Sequence, residues 1–167
     1  MAKYSVVRTD NMFGTDVRSG LVSVKYMGAD GNTATAIENG HVVLLDGLMK
    51  GEREIFKGKD VDAKSPREDV VLIASPEVEY DERKRNLEDY INEAGKVLRG
   101  YRFHSGDDFS VTKDAIDGTP EVGHVIELKK GNKLADVATL TPSSTEIGKV
   151  IAIEKAGRHE FVVIKVK

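Results

Sequence analysis

The stretch Val70–Thr112 constrains the fold most, because it holds the one persuasive helix signal in a chain that otherwise reads as strand and turn. Leu87, Tyr90, Ile91, Ala94, Val97 and Leu98 recur at helical spacing. A 3.6-residue period places them on a single stripe, with Glu88, Asp89, Asn92, Glu93 and Lys96 facing away. Asn86 suits the N-cap, and Glu88 and Asp89 fall in the first turn, where the helix dipole favours negative charge. Lys96 and Arg99 lie near the other end, and Gly100 can adopt the left-handed conformation that closes a helix. Gly95 in the helix interior costs about 1 kcal/mol relative to Ala. The spacing predicts a helix over 86–98, with a start that could reach back one turn to Asp81.

Strand signals fill the rest. Residues Lys3–Thr9 alternate Tyr4, Val6 and Arg8 against Ser5, Val7 and Thr9, which suits a first strand. Leu21–Met27, His41–Leu45, Glu54–Lys57 and Val70–Ala74 follow, separated by Gly, Asn and Asp turns. The nearly continuous apolar runs at His41–Leu45 and Val70–Ala74 predict strands buried on both faces. The polar stretch 58–69 reads as an exposed loop. Beyond the helix come Tyr101–His104, Phe109–Thr112, His124–Leu128 and Lys133–Val137, then a hairpin of Ile147–Glu154 and Glu160–Lys165. The expected fold is mainly β with one central α-helix (α+β), its flanking parts small barrels or sandwiches. The expected organisation is a β-rich part at 1–75, loop and helix at 76–100, and a second β-rich part at 101–167, compatible with one compact domain.

Composition excludes some chemistry. The chain has no cysteine, which removes disulfides, thiolate metal sites and a cysteine nucleophile. Its 25 basic and 28 acidic residues are interleaved, so a concentrated basic face for nucleic acid is not expected. No apolar run approaches the roughly 20 residues of a membrane helix, and MAKYSVVRTD lacks the apolar core of a signal peptide. His41, His104, His124 and His159 have no HxH or HExxH spacing, and no metal or other cofactor is expected. His104, Ser105, Asp107 and Asp108 hold the residue types of a hydrolase triad, but neighbours this close along a chain suit a tight turn better. The expectation is a non-enzyme, with a small hydrolase at those residues as the alternative from another class.

Several stretches together carry a family resemblance. They are Val6–Met12; Ser75–Pro76–Glu77 with Tyr80–Asp81–Glu82–Arg83; Asn92–Glu93–Ala94–Gly95–Lys96; and Gly100–Tyr101 followed by Ser105–Thr112. The chain resembles head decoration, or auxiliary capsid, proteins encoded near the major capsid protein in tailed phages of Gram-positive bacteria. The resemblance implies a virion structural protein on the capsid exterior, present in the host cytoplasm during assembly. Its implied partners are the major capsid protein and further copies of itself, a trimer being favoured on a lattice with three-fold positions. A tail or neck component is the alternative. The residues taken as capsid- or self-contacts are Lys3, Tyr4, Val6, Val7 and Arg8, since an N-terminal segment can add a strand to a neighbour's edge. Pairing of that segment within its own domain is equally expected.

Overall fold

The computed structural model describes residues 5–7, 20–78, 81 and 89–167. The described residues form a barrel and a sheet. β1 (Leu21–Tyr26), β2 (Val42–Leu48), β3 (Ile55–Lys59), β4 (Val70–Ile73) and β5 (Leu98–Arg102) close a barrel in the order β1-β3-β2-β4-β5. β1 runs parallel to β3, and the remaining pairs are antiparallel. β6 (Asp108–Thr112), β7 (Ile116–Asp117), β8 (Val125–Leu128), β9 (Leu134–Val137), β10 (Glu146–Ala156) and β11 (His159–Val166) form a sheet in the order β6-β11-β10-β8-β9-β7.

The apolar runs at β2 and β4 make one wall serve two cores. Successive side chains on a strand point to opposite faces. Val43, Val71 and Ile73 therefore fill the barrel with Val24, Tyr26, Ile37 and Leu98. Val42, Val70 and Leu72 face outward into a larger core with Val111, Ile126, Leu134, Ile147, Val162 and Ile164 of the sheet. The register agrees: Val42 stands opposite Leu72, and Val43 opposite Val71. Both sides of this wall are dry, so polar residues have no face to occupy and the sequence loses its alternation.

The segment after β3 ties barrel to sheet. Val61 is 1% exposed and forms an antiparallel bridge with Gly131. Thr145 donates its N–H to Ala63 O at 2.7 Å and its hydroxyl to Ser65 O at 2.9 Å. The exposed loop expected over 58–69 is found in part: Asp62, Lys64, Pro66, Glu68 and Asp69 are exposed, but Gly58 and Lys59 belong to β3, and Val61 and Ser65 are buried.

The central α-helix expected over 86–98 is contradicted. Residues 86–88 lie outside the described ones, and no α-helix occupies 89–98. Asn92 instead forms a bridge to Ile37, Ala94–Gly95 makes a turn, and Leu98 opens β5. Gly95 sits at φ 81°, a left-handed conformation incompatible with a helix interior. The predicted apolar stripe is also split: Leu98 is buried in the barrel, while Val97 is 48% exposed. The fold is mainly β, without the helix.

Candidate interaction surfaces

Residues 89–97 form a strap across one end of the barrel, held by a buried polar network. The Asn92 and Ile37 backbones exchange N–H···O bonds, both at 3.0 Å. The Asn92 amide donates to Ile37 O and to Asn39 Oδ1, each at 3.0 Å. Asn39 Oδ1 also accepts the Ser75 N–H at 3.0 Å, and its amide donates to Ser75 O at 2.9 Å. Ser75 Oγ accepts the Arg99 N–H at 3.1 Å. Hydrogen bonds in such a low-dielectric setting are strong, and a missing partner there is costly. Glu77 leans on the edge of the network, where Asn39 donates to it at 3.3 Å; burial raises its carboxyl above the ordinary range.

Above this network lies a groove of about 500 Å³ between strap, β1 and β5. Leu21, Val78 and Val97 line it while 49%, 78% and 48% exposed. Tyr90 and Pro76 add apolar surface, and Lys96 and Arg99 stand at its side. A second groove, of about 580 Å³, crosses the outer face of β11, β10 and β8. Its floor is Val125, Ile151 and Leu140, and Lys149, Lys165, Lys167 and Glu146 stand around it. Exposed large apolar residues gathered in concave places mark contact surfaces more often than singly scattered ones do.

Titratable clusters lie elsewhere. His124 Nδ1 is 2.8 Å from Asp136 Oδ2, and its Nε2 is 3.7 Å from Glu121 Oε2. Among the described residues no group of three or more His, Cys, Asp or Glu is arranged to hold a metal ion. His41 is buried where barrel meets sheet, neither ring nitrogen has a hydrogen-bond partner, and burial pushes it down to about 4. His104, Ser105, Asp107 and Asp108 form the turn into β6. Asp107 N–H donates to His104 O at 3.1 Å, Ser105 is exposed, and His104 Nε2 is buried without a hydrogen bond. His104 Nε2 therefore meets no serine hydroxyl among the described residues.

Of the residues predicted as contacts, Val6 and Val7 are 2% and 3% exposed, packed within the chain itself. Val7 bridges Val111, Val6 O accepts the Thr112 N–H at 3.1 Å, and Ser5 N–H donates to Glu38 Oε2 at 2.8 Å. Lys3, Tyr4 and Arg8 lie outside the described residues. Sequence reasoning missed both grooves, whose walls come from segments distant in the chain. Comparison with protein-family models, with curated proteins and with solved structures returns no match.

Proposed function

We propose that this protein is a virion structural protein that binds the major capsid protein on the outer surface of a phage head and stabilises the shell. The observation that carries the reading is the groove in which Leu21, Val78 and Val97 stand exposed beside a buried amide network. A decorating protein needs a pre-formed contact surface, because a patch already ordered loses little entropy on binding. The Asn39–Asn92–Ser75 network fixes the groove's walls before any partner arrives. A standard interface buries about 1,600 Å² in total, and repetition over a lattice multiplies modest contacts. Self-association, with a trimer favoured at three-fold positions, is part of the proposal.

Purified protein added to heads that lack it should co-sediment with them and raise their resistance to heat and low salt. Val78→Asp with Val97→Asp should weaken that binding at least tenfold while leaving the far-UV spectrum unchanged. No affinity for heads sinks the reading, and binding unaffected by both substitutions removes the groove from it.

A further inference from the structure

The hairpin that closes the sheet carries an arrangement that internal stability does not explain. Lys149 on β10 stands directly opposite Lys165 on β11, both exposed on the same face. Like charges directly opposite on an antiparallel pair are destabilising. Neither ammonium has a carboxylate within ion-pair distance among the described residues. Asp108 is the cross-strand neighbour of Lys165 on β6, yet its Oδ1 is buried and unbonded instead of meeting the lysine. Lys167, at the end of the same row, is ion-paired with Glu146. Beside the two free ammonium groups Ile151 is 45% and Leu140 37% exposed, above the buried Val125.

We infer that this groove is a docking site for an acidic, apolar, extended segment of a partner protein, with carboxylates meeting Lys149 and Lys165 and alternate aliphatic side chains covering Ile151 and Leu140. Charge selects that occupant. A second copy presenting the same face would set its lysines against these, whereas carboxylates remove the repulsion already present between β10 and β11. An aliphatic side chain is required as well, because the floor between the cations is apolar and a bare anion would leave it wet. The inference rests on the sheet's geometry and is independent of the virion reading.

The test uses the full chain and a fluorescein-labelled synthetic octapeptide alternating Asp and Val, read by fluorescence anisotropy. Binding should weaken at least tenfold from 50 mM to about 500 mM NaCl, where screening shortens to a few ångströms. Lys149→Glu with Lys165→Glu should weaken it at least tenfold, Ile151→Ser at least threefold, and Lys130→Glu on a distant turn not at all. The milder Lys149→Gln with Lys165→Gln, checked by circular dichroism, keeps the test open if the double glutamate misfolds. The inference is overturned by no binding, by equal binding of a Lys/Val or an Asp/Ser octapeptide, or by equal binding of a labelled oligonucleotide. It is also overturned if sedimentation shows a self-associated form that Ile151→Ser abolishes, since a second copy would then own the groove.

Discussion

Gly58 and Gly100 show how tightly the barrel is filled. A Cβ on Gly58 would lie 2.7 Å from Val24 Cγ1, and one on Gly100 would lie 2.9 Å from Val71 Cγ2. The lumen accepts Val24, Val43 and Val71 only because these facing positions carry no side chain. Gly58→Ala should cost about 1–3 kcal/mol through overpacking, measured by chemical denaturation, whereas Lys57→Ala beside it should change little. His41 supplies the pH dependence. Its folded-state value falls to about 4 from an ordinary 6.5, chiefly by burial. Lys133 works in the same direction, and Glu38, Asp117 and Asp60 oppose it. The unfolded chain therefore takes up the proton first as pH falls. Stability linked to His41 is complete above pH 6.5 and is lost progressively down to about 4, by roughly 3 kcal/mol in all. His41→Gln should flatten that part of the curve when melting is followed from pH 7 to pH 4; an unchanged slope would mean the ring is not held neutral.

At the scale of elements, the strands were legible, and the helix signal was misleading. Strand positions follow from apolar runs between Gly, Asn and Asp turns, and those local signals survive folding. The expected His41–Leu45, Val70–Ala74 and Phe109–Thr112 lie almost on β2, β4 and β6. The segment from Leu87 to Leu98 has helical spacing, but it contains Asn92 and Gly95, which the fold uses for a buried amide network and a left-handed turn. Tertiary partners overrode periodicity, and a sequence does not display which distant backbone an asparagine will meet. Asn92→Ala should cost about 1–3 kcal/mol by leaving Ile37 O and Asn39 Oδ1 short of donors, a loss measurable in urea. The lysine pair is hidden for a related reason. The β10–β11 hairpin is evident from its alternation, but the register shifts between Val150 and Ala152; without that bulge Lys149 would face Val166 instead of Lys165.

Across the whole molecule, the wall of β2 and β4 shared by two cores should make barrel and sheet unfold as one unit. Leu72→Ala on the outer side and Ile73→Ala on the barrel side should each cost roughly 2–5 kcal/mol, and both should shift one common unfolding transition. Separate transitions, each moved by one substitution alone, would show two independent cores. The grooves lie on opposite constructions, one on the strapped barrel end and one on the sheet face, so a single copy could engage two neighbours at once. That suits a protein repeated across a shell. Quantitative mass spectrometry of purified virions is the sharpest test of the proposed capsid role. This protein is expected at a sizeable fraction of the major capsid protein's copy number; its absence, or a copy number matching a single neck or tail ring, would contradict that role.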